Sequence, residues 1–434
     1  MTHGPMLWLR RGCFIALLVA LAITPGPASA ARPCTAPACP AAGHPAPGHQ
    51  AAGRQAAGQI RWAQPLPGSW VAQRGLGGTT PAQGDAYAAM GGQVTAVGIG
   101  STIYGYRSAT GHALWVSPLG GVRAGAQLVS VRAWPGVVTA GLTVPGQRPG
   151  SVVSRREMVL SAATGRLIRS YPAAAFGGAV RADGRHTVIV GATAVTSYDN
   201  RTGATAWRRP TGPAAQAWKT DGNSLYLTVA AGGYLSGKPV RALRRISLRT
   251  GRQRLIRPPG RSFHGVLSRA FDGVVLFTDA RGTVAYSGAT GMKLWRRHGA
   301  VPENADPADA LLYLADGGTL VGVDPWTGRP QARVPAGATP GPAGLFAVRD
   351  GTVLGLDQGA PGGAWGYGVA TQQVLWTSPS VPWPHYFVDL SGIGGSAAAT
   401  SPAVLLAICR QLGGPAPGAA GPVCWRPELV ALNW

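Results

Sequence analysis

The chain has 434 residues, only 13% of them charged, with 65 glycines. That composition is poor for the solvated faces of surface helices and suited to many short strands joined by tight turns. The 45% apolar content can fill a core of several hundred residues, so the length allows two or three ordinary domains or one large all-β domain.

The net charge is +23, and of the 39 basic residues only Lys219, Lys238 and Lys293 are lysine. Two readings are open. A GC-rich coding bias, of the kind met in actinobacteria, enriches arginine together with alanine, glycine and proline. Alternatively, the charge serves anionic partners such as cell-wall polymers, acidic lipids or nucleic acid.

In chain order, residues 1–30 read as a secretory signal peptide. Arg10 and Arg11 precede the apolar run CFIALLVALAI at 13–23, and PASA at 27–30 offers cleavage after Ala30. An uncleaved anchor is the alternative. A lipoprotein site is disfavoured because Cys34 follows Pro33. After cleavage no membrane span is expected, and the product is secreted or associated with the cell envelope. Residues 31–59 are a Pro/Ala/Gly linker with nothing to bury, and His44 and His49 are passive there. Cys34, Cys39, Cys409 and Cys424 form an even set in an exported chain, which reads as disulfides with three pairings open. Short loops favour Cys34–Cys39 and Cys409–Cys424, whereas zinc would want a second pair spaced like the first.

From residue 60 a repeat takes over. The phrase SATGHALW at 108–115 returns as NRTGATAW at 200–207 and GATGMKLW at 288–295, and as AATGRLI at 162–168 without the tryptophan. The fullest copy spans 271–297. Asp272-Gly273 opens it, VVLFTD is a strand, Ala280-Arg281-Gly282 a hairpin, TVAYSG a second strand, Thr290-Gly291 another hairpin, and MKLW a third strand. FHGVLSR at 263–269 supplies a fourth, giving a four-stranded antiparallel sheet. Asp183-Gly184, Asp221-Gly222, Asp309-Ala310 and Asp350-Gly351 open further copies. Gly111, Gly165, Gly203, Gly251, Gly291 and Gly328 each follow the hairpin threonine, and Thr371-Gln372 is a degenerate case. The mean spacing is about 43.5 residues, and about 40–45 residues with four strands is the period of a β-propeller. Trp115, Trp207, Trp295 and Trp376 are expected to fill the gap between sheets near the rim, with Ile168 and Leu255 in their place in weaker copies.

Three stretches could carry function. RALRRISLRTGRQRLIRPPGR at 241–261 holds Arg241, Arg244, Arg245, Arg249, Arg252, Arg254, Arg257 and Arg261, either a solvated rim or a polyanion patch. It lacks the interleaved aromatics that a specific nucleic-acid surface needs. PENADPAD at 302–309 offers Glu303, Asn304, Asp306 and Asp309, read as a solvated loop rather than a calcium site. VPWPHYFVD at 381–389, with Trp383, His385, Tyr386 and Phe387, reads as an inner strand with its loop rather than an aromatic ligand patch. Finally, IRWAQPL at 60–66 matches an outer strand and PELVALNW at 427–434 a third strand. Together they complete one sheet and remove exposed edges. The fold expected is an all-β, eight-bladed propeller over 60–434, closed by pairing of its terminal strands, with seven blades as the fallback.

Over residues 60–434 the strand, Thr-Gly, strand-with-Trp pattern resembles the pyrroloquinoline quinone (PQQ) repeat family. The family's aspartate three residues before the threonine is kept at Asp199 and Asp324, while Arg107 and Leu248 depart from it. Catalytic members of that family cover the quinone with adjacent cysteines and bind calcium beside a catalytic aspartate. This sequence has no Cys-Cys pair. The resemblance therefore implies the non-catalytic branch, which binds partners through loops and the funnel face. The expectation is a monomeric, non-enzymatic exported scaffold without catalytic residues, PQQ or calcium, binding a protein or an anionic envelope polymer. A quinoprotein oxidoreductase and a wall-polymer binder are the alternatives.

Overall fold

The computed structural model describes residues 59–66, 70–71, 86–119, 126–144, 154–173, 177–211, 215–230, 239–260, 262–306, 308–335, 343–357, 364–378, 386–387, 403–409, 412–415, 422–424 and 427–433. The expected signal peptide, almost all of the linker, Cys34, Cys39, His44, His49, Arg261, Trp383 and His385 lie outside them. The described residues form strands and turns with no helix.

Eight antiparallel sheets of four strands are present. In chain order they are sheet 1 (86–118), sheet 2 (127–173), sheet 3 (178–210), sheet 4 (215–256), sheet 5 (266–298), sheet 6 (301–334), sheet 7 (343–377), and sheet 8, built from 386–433 with 60–65. Each of the first seven is a simple meander. In sheet 5, Val266–Phe271, Val274–Asp279, Gly282–Ser287 and Lys293–His298 pair in that order. The middle strands are the most buried, and where burial is complete on both faces, as over Val274–Phe277 of VVLFTD, they are apolar. Fourth strands are the exposed ones, whereas first strands of neighbouring sheets approach each other. First strands are thus innermost. Between sheets the apolar faces merge into cores, such as Leu225, Leu227, Ile246 and Leu248 of sheet 4 against Val180, Val188, Val190 and Val195 of sheet 3.

Sheet 8 joins the two ends of the described chain. Ile60–Pro65 pairs antiparallel with Pro427–Asn433, which pairs with Ala403–Cys409 and then Tyr386–Phe387. Of the segment 381–389 only Tyr386–Phe387 is among the described residues, and it is the first strand of this sheet. A three-stranded sheet of Trp70–Val71, Pro422–Cys424 and Leu412–Pro415 stands outside the repeat, and the sequence pattern did not announce it.

In each of the first seven sheets two hairpins, first-to-second and third-to-fourth, lie at the same end of the strands. Asp272 and Gly273 both take positive φ, 49° and 74°, as a type I′ turn requires. These hairpins also tie sheet to sheet. Asp221 Oδ2 accepts the Gly273 N–H at 2.7 Å, and Asp306 Oδ2 accepts that of Gly351 at 2.8 Å.

Three expectations need correction here. Segment 302–309 is not a solvated loop: Val301–Asp306 is the first strand of sheet 6, and Asp306 is fully buried. The residue three before Thr250 is Ser247 rather than Leu248, and its Oγ lies 3.0 Å from Thr250 Oγ1. Serine thus does the capping that Asp324 does for Thr327, whose N–H and Oγ1 it accepts at 2.7 and 2.9 Å. The third correction concerns Leu255, which is exposed and does not stand in for tryptophan between sheets, whereas Ile168 packs against the core shared by sheets 2 and 3.

Candidate functional site

The repeated Thr-Gly-x-x-x-Trp phrase turns out to be a docking joint. Trp115 of sheet 1 is 9% exposed and donates Nε1–H to the Ala162 carbonyl of sheet 2 at 2.8 Å. Trp295 makes the same bond to Pro325 of sheet 6 at 2.8 Å, and Trp62 to Ser108 of sheet 1 at 2.9 Å. Each acceptor stands two residues before the hairpin threonine of the next sheet. The indole lies flat against the hairpin glycine: a Cβ on Gly328 would sit 2.7 Å from Trp295 Cδ2, and the residue has φ +68°. Glycine is required there twice over, for the backbone angle and for the ring. Gly111 packs likewise on Trp62, Gly165 on Trp115 and Gly251 on the half-buried Trp207. Trp376, also half-buried, covers Gly366 of its own sheet.

Where tryptophan is missing, other groups fill the joint. Arg169, not Ile168, lies against Gly203, and Tyr171 stacks on Tyr198 at 4.1 Å between the same sheets. Ile256, 2% exposed, faces Gly291, while Leu255 is 40% exposed. The third and fourth strands of sheet 5 pair with a one-residue bulge before the tryptophan, whereas the same pairing in sheet 4 runs without one. Losing the bulge slides the inward face by one residue.

The arginines of 241–261 divide among several tasks. Arg244 Nη1 donates to the Pro210 carbonyl of sheet 3. Arg245 Nε donates to Ser224 Oγ at 3.0 Å, and its guanidinium sits 5.9 Å from the Tyr226 ring centre. Arg249 and Arg252 flank the exposed hairpin, Arg241 is exposed on the third strand, and Arg254 and Arg257 are exposed at the fourth. Cys409 and Cys424 end the strands Ala403–Cys409 and Pro422–Cys424.

The acidic set Glu303, Asp306 and Asp309 does not suit a cation. Asp306 spends its carboxylate on the backbone N–H groups of Ala308, Asp350 and Gly351. Burial raises the pKa of Glu303, and burial with Asp306 and Asp350 raises that of Asp309. Among the described residues no group of three or more His, Cys, Asp or Glu side chains is placed to hold a metal, and no helix is long and apolar enough to cross a membrane.

One set of polar residues escaped the sequence reading. Arg132, Arg181, Lys219 and Arg269 stand on the first strands of sheets 2 to 5. A basic residue three or four positions before each first hairpin glycine was the signal: Arg132 before Gly136, Arg181 before Gly184, Lys219 before Gly222 and Arg269 before Gly273. Beside Arg132 lies Glu157, 1% exposed, whose pKa burial raises against the lowering pull of Arg155 and Arg132.

Residues 191–352 match the family model PQQ_2, outer membrane protein assembly factor BamB. None of the curated proteins matches. Among solved structures, BamB from Moraxella catarrhalis is 17% identical, with a TM-score of 0.40, covering 62% of this chain and 79% of that one. The quinohemoprotein alcohol dehydrogenase ADHIIG from Pseudomonas putida HK5 is 15% identical, with a TM-score of 0.48, covering 86% and 76%. That of Comamonas testosteroni is 13% identical, with a TM-score of 0.46 and the same coverage. Four-stranded sheets joined ring-to-hairpin, and the family match confined to 191–352, make this chain similar to the PQQ-like repeat β-propellers.

Proposed function

We propose that the chain is an exported, closed, eight-bladed propeller of the non-catalytic branch that binds a protein of the cell envelope along its fourth strands. The observation that carries this is the exposure of large apolar side chains on those strands: Leu114, Val116, Leu167, Leu255, Val374 and Leu375. Among the described residues each fourth strand is also the outer edge of its sheet, with no fifth strand paired to it. An extended partner segment can add there as a strand, held by main-chain hydrogen bonds and by apolar contacts with every second residue. The matched family model bears the name of an assembly factor, and a partner-binding role here follows that name.

A photo-crosslinking residue at Val116, Leu255 or Leu375, with cells irradiated before lysis, is expected to give one recurrent product with the same protein. A crosslinker at Gly317, in a second-to-third strand turn, is expected to give none. Absence of any product from the fourth strands overturns the reading. So does a quinone absorbance shift with dye reduction when PQQ and calcium are added. Exposed Arg254 and Arg257 favour a second reading, an anionic wall polymer. Retention on such a polymer that salt abolishes, and that Arg254→Gln with Arg257→Gln removes, would select it.

A further inference from the structure

We propose that Arg132, Arg181, Lys219 and Arg269 form a binding site for a multivalent oxyanion on the inner side of the sheets. The four occupy one register. Arg132 pairs with Thr139, Arg181 with Val188, Lys219 with Tyr226 and Arg269 with Leu276, in each case the third residue of the second strand. Four consecutive sheets therefore place a cation at the same height on their innermost strands.

The side chains lean from sheet to sheet. Arg132 donates to the Ala179 carbonyl of sheet 3, Arg181 to Asn223 Oδ1 of sheet 4 and Arg269 to the Glu303 carbonyl of sheet 6. All three acceptors are uncharged. The Arg132 guanidinium also lies 5.9 Å from the ring centre of Trp218, two sheets further on. Contact between non-adjacent sheets shows that this layer converges on a confined space. Lys219 and Glu303 keep more than a third of their surface open, yet burial shifts both pKa values, down for the lysine and up for the glutamate. A group that is both solvent-reachable and crowded by protein lines a concavity.

Two cations elsewhere are ion-paired. Arg296 is ion-paired with Asp279 and Arg297 with Asp316 on the outer part of sheets 5 and 6. Among the described residues none of the four inner cations has an ion pair. Glu157 and Glu303 are the carboxylates that act on the layer, and Arg155 adds a further positive charge beside Glu157. Positive charge gathered in a concavity, with forked guanidinium donors, recognises phosphate or carboxylate groups borne several to a molecule. This site is separate from the fourth strands, so the partner reading and this one stand or fall independently.

The test is calorimetric titration of the full chain with tripolyphosphate and, separately, with citrate, each against sodium chloride at matched ionic strength. Saturable binding of one tripolyphosphate or citrate per chain is expected. Lys219→Gln and Arg181→Gln, each checked for native circular dichroism, should weaken it at least tenfold, while Arg254→Gln with Arg257→Gln leaves it unchanged. Binding by tripolyphosphate alone makes the ligand a phosphate; binding by citrate alone or by both extends it to carboxylates. If neither inner variant folds, a saturable rise in the thermal midpoint of the native chain with either anion, absent with sodium chloride, supports the site. No binding of either anion, several ions per chain, inner variants that bind like the native chain, or loss on changing Arg254 and Arg257 overturns it.

Discussion

Gln372 occupies a hairpin position that glycine fills in the other copies, and it holds φ at 54°. A side chain in the left-handed region costs roughly 1–2 kcal/mol, of which glycine's larger unfolded freedom takes back about 0.5–1. Gln372→Gly should therefore raise the urea midpoint, by up to about 1 kcal/mol of stability; an unchanged or lower midpoint contradicts this. Glu157 is a strain of another kind. Its folded-state pKa is raised by burial, so its contribution is fully present below the ordinary carboxylate pKa and is lost as pH rises through the folded value. Glu157→Gln removes that loss. The thermal midpoint of the variant, relative to the native chain, should climb as pH rises above the ordinary carboxylate range. A gap that stays constant with pH would show an ordinary carboxylate.

The joint between one sheet's tryptophan and the next sheet's hairpin is the element on which packing depends. Trp295→Phe keeps a ring but orphans the Pro325 carbonyl, and should cost about 1–2 kcal/mol. Gly328→Ala drives a methyl into the indole and strains the turn, and should cost about 2–4 kcal/mol. Combining the two changes should cost clearly less than their sum, because phenylalanine leaves room beside residue 328. A double-mutant cycle on thermal midpoints reads this, and strict additivity would separate ring from hairpin. These joints were legible in the sequence because both halves, a turn glycine and a large ring, are visible there. Errors arose where one residue of register decided the face. Leu255 was taken for Ile256, because sheet 4 lacks the bulge of sheet 5 and a bulge leaves no composition of its own. Ser247 was passed over for its neighbour Leu248, one residue out of phase with Thr250. The inner cations went unread for another reason: their meaning lies in alignment across four sheets, while the search was made along single stretches.

At the scale of the whole molecule, Ile60–Pro65 and Pro427–Asn433 share sheet 8, with Leu429, Val430, Ala431 and Leu432 fully buried. Deleting 427–434 strips sheet 8 of its third strand and leaves Ile60–Pro65 without a neighbour. That variant is expected to lose its cooperative thermal transition and its near-ultraviolet dichroism and to be digested rapidly by protease. A truncated chain melting at the native midpoint would show that sheet 8 is dispensable.

The same sheet bears on how such a chain changes length over generations. The written repeat is out of phase with the folded one: among the described residues the first strand is a fourth strand and the last is a third. Duplicating or excising one stretch of about 43.5 residues would shift the count of sheets yet leave the two ends still matched to each other. Recombination can thus lengthen or shorten the array in whole units, and the clasp tolerates each new total without being redrawn.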